Sequence, residues 1–269
     1  MNTYVITEPS NGELDFGDAP NAYRVGELVP KAKPDLEGVA PVLMRLEHAD
    51  RQLSRVTEVA EIAHGRGRPP MVCAIIESDI RTDRLHEHLA NALLITRPGG
   101  NDAVFRYYDP RVFGHLQWIL DSVQLQSLLG PVSRWRWLDE GGRWQEVLSS
   151  GYRQIDLTFS DEQFKQLERL TLVRKALETL AAAGMQATPE VARQLDRMLL
   201  KAERYGLPVE DQISFALHGM LVAPNFDQHP QVQAVLAMQS ETPYTEAVVN
   251  WTDEMWHRVG KESARYPYQ

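Results

Sequence analysis

The side chains best able to do chemistry fall into a few groups. Glu77 and Asp79 follow the apolar run Met71 to Ile76 and could work as a carboxylate pair, one as acid and one as base. Arg106, Asp109 and Arg111 make the densest charge cluster, in the segment Phe105-Arg106-Tyr107-Tyr108-Asp109-Pro110-Arg111-Val112. Arginines there could grip an anion or a partner protein. Cys73 is the only cysteine, and eight histidines are scattered along the chain.

Each group also has an explanation that needs no chemistry, and that explanation is favoured. Asp79 or Ser78 can cap the helix that follows. Asp109 before Pro110 is a helix start, since aspartate is a favoured cap and proline a favoured first helical residue. An arginine bonding back to Asp109 completes that architecture. Cys73 lies inside an apolar strand, where a buried thiol is inert. His86 and His88 are two positions apart and face different ways on a helix, unlike the four-residue spacing of a metal pair, and His115, His218, His229 and His257 are isolated. The chain contains no Walker loop, no GxSxG elbow and no GxGxxG. The residues therefore predict no catalytic, metal or cofactor site.

The elements that position these groups are legible from periodicity. Tyr4 to Thr7 reads as a short strand, and Val39 to Leu46, with Pro41 inside, as an edge strand or extended segment. Leu53 to Ala63 has helical spacing and stops at the Gly/Pro-rich loop 65–70, whose basic cluster His64 to Arg68 reads as solvated. Met71 to Ile76 is apolar throughout and predicts a strand covered on both faces. Leu85, Leu89 and Ala92 form the buried stripe of the next helix. Leu93 to Thr96 and Val104 to Tyr107 flank a Pro-Gly-Gly-Asn-Asp turn and pair as a hairpin. The strand ending at Asp109-Pro110 leads into a helix burying Val112, Leu116, Ile119 and Leu120. A second short helix ends at Gly130-Pro131. RWRWL and RWQEVL around Glu140-Gly141-Gly142 predict another hairpin, with Trp135, Trp137 and Trp144 packing across it.

From Thr158 onward helical spacing dominates. Ser160 and Gln163 make a capping box, Thr188-Pro189-Glu190 starts another helix, and Pro208 a third. Val248, Trp251, Met255 and Val259 form one stripe of the last helix, with Trp256 off it. Trp251, Met255 and Trp256 are candidates for contact with a protein partner. The predicted fold is α+β, a mixed α/β lobe over 1–157 followed by an all-helical lobe over 158–269, with the boundary at about 150–158.

Composition narrows the function. Of 269 residues, 43% are hydrophobic and 24% charged, the balance of a soluble globular protein. The net charge is −9; 17 basic against 22 acidic residues precede Leu157, and 11 against 15 follow. Neither half is a basic module, which argues against nucleic-acid binding. No apolar run reaches the length of a membrane span, the first residues do not read as a signal peptide, and a lone cysteine excludes an internal disulfide. A cytoplasmic location is expected.

The segments FRYYDPRV (Phe105 to Val112) and LLGPV (Leu128 to Val132) resemble the type VI secretion effector adaptor family, whose members carry a domain catalogued as of unknown function. MVCAII, His88-Leu89, Ala92 to Thr96 and Gly130-Pro131-Val132 fit the same pattern across about 71–133. AERYG (Ala202 to Gly206) looks like the family's tail, whereas the segment before Val39 departs from its usual start. The resemblance implies a non-enzymatic chaperone or adaptor that binds a toxic effector and promotes its loading onto a VgrG spike protein. It makes Phe105, Arg106, Tyr108, Asp109, Pro110 and Arg111 a family motif of structural character. Two other readings stay open: a small-molecule enzyme using Glu77 and Asp79, and an immunity protein that neutralises a toxin.

Overall fold

A computed structural model describes residues 1–97, 99–151, 157–238 and 241–266. Pro98 of the expected turn, and 152–156 within the expected boundary, lie outside the described residues. The chain separates into two units, Met1–Phe164 and Lys165–Gln269, and the division falls inside a helix.

The first unit is built on β1 (Asn2–Thr7), β2 (Tyr23–Glu27), β3 (Val42–Leu46), α1 (Ala49–Gly65), β4 (Val72–Ser78), α2 (Thr82–Asn91), β5 (Leu94–Thr96), β6 (Asp102–Val104), α3 (Pro110–Ile119), α4 (Ser122–Leu129), β7 (Arg134–Leu138) and β8 (Trp144–Leu148). Its main sheet has the order β2-β3-β1-β4-β7-β8, and every neighbour pair is antiparallel. β5 and β6 pair separately as the expected hairpin. Alternation along β1 and β4 divides the core. Val5, Leu46 and Ile75 turn to one face, where α1 covers them with Val56 and Ala60. Tyr4, Ile76 and Trp135 turn to the other, where Phe113 of α3 stacks on Trp135 at 4.5 Å. The apolar run in β4 is thus buried on both faces, as its composition predicts.

Several expectations are corrected. β3 is not an edge; it lies between β2 and β1, because Pro41 precedes the strand and removes no ladder donor, while its carbonyl accepts from Leu28 N–H. The edge on that side is β2, whose short, glycine-containing sequence carries no strand signal. Neither Ser78 nor Asp79 caps α2, which starts at Thr82 after Arg81 with no side-chain cap. Ser78 Oγ instead donates to Pro131 O. The strand before Asp109 ends at Val104, and in α3 Phe113 rather than Val112 points inward. Ala92 is half-buried, and Ala90 takes its place on α2's inner face. The β7–β8 register sets Trp144 across from Leu138, on the face opposite Trp135 and Trp137. Trp144 accordingly packs towards α1, with its indole N–H on Glu61.

The second unit is helical. α5 (Asp161–Ala182) begins at the Ser160/Gln163 capping box and crosses the division. It is followed by α6 (Pro189–Arg204), α7 (Val209–Leu221), α8 (Pro230–Ala237), α9 (Tyr244–Val248) and α10 (Asp253–Ser263). Phe215, Phe226, Val232, Leu236, Tyr244 and Val259 are central to its core. The expected last helix, with Val248, Trp251, Met255 and Val259 on one stripe, is broken, because Thr252 caps a new helix by accepting from Met255 N–H. The break resets the helical phase, so Trp256 joins the core instead of lying off its stripe.

Candidate functional site

The FRYYDPR segment is a tight connection whose polar groups are consumed by the fold. Phe105 N–H donates to Leu93 O, extending the β5–β6 hairpin by one bond, and Asp109 N–H closes a turn on Arg106 O. Asp109 then caps α3, its Oδ1 accepting from Arg111 N–H at 3.0 Å. The Arg111 guanidinium folds back on the same carboxylate in a two-point contact, 2.9 Å from Oδ1 and 2.6 Å from Oδ2. Arg106 stands 3.7 Å from Oδ2.

The cluster has one member that the sequence analysis missed. Glu8, just after β1, is only 3% exposed, and its Oε2 accepts from Arg106 Nη2 at 3.0 Å and from Tyr108 OH at 2.8 Å. Ser10 holds the other oxygen. A buried carboxylate needs such partners, since an unpaired charge away from water is costly. Two buried carboxylates, Glu8 and Asp109, are thus matched by two guanidiniums that remain partly in solvent. Cys73 lies under this cluster. Burial, and then the Asp109 and Glu8 charges, push its thiol well above the usual range, so it stays protonated. Burial first, then its bond to Glu8, raises the Tyr108 phenol likewise. Tyr107 is raised by burial and donates to Leu89 O. What this arrangement does chemically is lock β1 to the start of α3.

The groups of the carboxylate-pair reading take different partners. Asp79 is 71% exposed and stands 3.1 Å from the Met1 amino group, whereas Glu77 faces Arg134 across the strands at 3.7 Å. Beyond the end of β4 there is a cleft of about 1220 Å³, lined by residues including Asp79, Arg84, His88, Asn91 and Ser133. His88 Nε2 lies 2.9 Å from Leu128 O, and burial holds its imidazole below the usual value. Gly130 has φ +52°, and a Cβ there would clash with the His88 ring. The His88-Leu89 and Gly130-Pro131-Val132 motifs, distant in sequence, are therefore packed against each other.

Residues 28–127 match the family described as Domain of unknown function (DUF4123). The matched segment is a little over a third of the 269-residue chain, and this domain is known in type VI secretion effector adaptor proteins. No curated protein and no solved structure matches the chain. The DUF4123 segment runs from before β3 into α4 and carries the whole FRYYDPR turn. β1 lies outside it, yet β1 separates two of its strands, β3 and β4, and leads directly into Glu8. Residues 28–38, expected to depart from the family, fall inside the match, and β1, ahead of it, completes the sheet of the matched part.

The remaining candidates are structurally engaged. Trp251, Met255 and Trp256 are all half-buried. Trp256 lies 4.7 Å from Trp251 and 4.2 Å from His218, and both tryptophans pack against the core of the second unit. His218 Nδ1 is 2.6 Å from Tyr244 OH, and burial pulls its imidazole down to about 4. His86 rests on Glu27 O, and His229 pairs with Glu262 at 3.0 Å. Among the described residues no group of three or more His, Cys, Asp or Glu is placed to hold a metal ion, and no helix is long and apolar enough to cross a membrane.

Proposed function

We propose that this chain is a type VI secretion adaptor that works in the cytoplasm without catalytic turnover. It binds a toxic effector protein and promotes its loading onto a VgrG spike protein. The observation that carries the reading is the DUF4123 match over residues 28–127. The geometry supports it: the FRYYDPR charges are spent on capping and on Glu8, and the thiol beneath them is held protonated. An adaptor needs complementary surface, on the order of 800 Å² per partner, in place of a reactive group.

The reading is tested by co-expressing the chain with the effector and spike encoded beside it. A co-purifying complex that contains the effector is expected. If neither neighbour is retained in pull-down or gives heat in calorimetry, the reading fails. Trp251, Met255 and Trp256 are proposed partner contacts in the second unit; alanine at Trp251 should weaken retention more than it lowers the melting temperature.

A further inference from the structure

The two edges of the main sheet are finished differently. β2 is blunted: its register shifts between Arg24 and Gly26, and His86 from α2 sits 2.8 Å from Glu27 O at its end. Such devices keep an edge from recruiting another strand. β8 has neither. Its pairing with β7 runs unbroken from Leu148 opposite Arg134 to Trp144 opposite Leu138.

Bonds flanking β8 fix where its backbone points. Ser149 N–H donates to Ser133 O, and Asp139 N–H to Arg143 O. Hydrogen-bonded pairs alternate along an antiparallel ladder, so residues 143, 145, 147 and 149 bond towards β7. The N–H and C=O groups of Trp144, Glu146 and Leu148 therefore point away from the sheet, and among the described residues no strand lies beyond them. Donors and acceptors repeating at strand spacing are matched by another extended main chain.

The side chains state what that strand should carry. Charges alternate across this end of the sheet: Arg134 stands 3.7 Å from Glu77 and 3.8 Å from Glu146. Glu146 is 51% exposed, and beside it Leu148 is 55% exposed. An added strand continues the alternation by placing a basic residue beside Glu146 and apolar residues beside Trp144 and Leu148. Pairing about Glu146 with β8 of a second copy would oppose two carboxylates, which disfavours self-association. We propose that the outer edge of β8 takes up an extended segment of a partner polypeptide, with a basic residue between apolar ones at alternate positions. This holds whether or not the partner belongs to a secretion machine.

The test uses the full chain and two labelled peptides, Val-Thr-Val-Thr-Lys-Thr-Val-Thr-Val and its twin with Glu at the centre. The lysine peptide should bind at least tenfold more tightly than its twin and slow amide exchange at Glu146 and Leu148. Glu146→Pro removes an outward N–H and the carboxylate but no bond to β7, so it should leave the melting transition in place and abolish binding. Glu146→Lys should reverse the preference between the peptides, and it carries the test if the proline variant does not fold. The proposal is overturned if the lysine peptide leaves β8 exchange unchanged, if Glu146→Lys keeps the original preference, if a folded Glu146→Pro binds as before, or if the chain dimerises through β8.

Discussion

Asp109 does two jobs that substitution can separate. As a cap it accepts one backbone N–H, which contributes about 1 kcal/mol. As a buried carboxylate it takes two bonds from Arg111 and lies close to Arg106. Charge-assisted bonds of this kind contribute about 1.5–3 kcal/mol when buried. Arg111 is about a third exposed and rehydrates when released, which favours the lower end. Asp109→Ala should then cost about 3 kcal/mol, and Asp109→Asn, which can still cap, about 1–2 kcal/mol. At roughly 2–4 °C per kcal/mol for a unit of this size, alanine lowers the melting temperature by about 6–12 °C. Urea titration followed by tryptophan fluorescence reads both variants, because Trp135 and Trp137 report on the core beside α3. An alanine cost of only about 1 kcal/mol would show that the cap is the whole story. Effector retention should fall only as far as folding falls; intact stability with abolished binding would contradict the architectural role.

Three further outcomes follow from the same geometry. Glu8→Ala leaves the Tyr108 hydroxyl unpaired and should cost about 2–3 kcal/mol in the same titration; a cost below about 0.5 kcal/mol would mean the latch contributes nothing. Gly130→Ala combines a strained φ with a clash on His88 and should cost about 3 kcal/mol, partly recovered when His88→Ala is added; no recovery would refute the contact. His218 is held near 4 in the fold against about 6.5 unfolded, so the unfolded state binds the proton more readily. Its contribution is complete above about pH 6.5 and is lost as pH falls towards 4, by up to about 3 kcal/mol. His218→Phe should flatten that part of the stability profile relative to the parent chain; parallel profiles would exclude the burial effect.

Local signals in the sequence name their elements, whereas partners distant along the chain leave no local mark. Asp109-Pro110, Ser160/Gln163 and Thr188-Pro189 each name a helix start within a few residues, and all three caps form. The β7–β8 hairpin was legible from its alternation and its glycine turn, but not the face of Trp144. That depends on the loop Asp139–Arg143, whose Asp139 gathers Gly141 and Arg143 N–H and sets the register. Glu8 was invisible because its partners are 98 and 100 positions away and nothing local marks an acid at a strand end as buried. Ser78 looked like a cap because serine often is one, yet a tertiary acceptor, Pro131 O, claims its hydroxyl. Val248, Trp251 and Val259 of the expected stripe do meet one core, but the cap at Thr252 splits their helix in two and brings Trp256 to that core as well.

The most direct measurement of the proposed role is effector secretion from cells lacking this gene, beside their growth. An adaptor predicts effector missing from the medium and retained in cells that grow normally, with secretion restored by the intact gene. Unchanged secretion would contradict the account, and self-intoxication of the deletion strain would assign the chain to immunity instead.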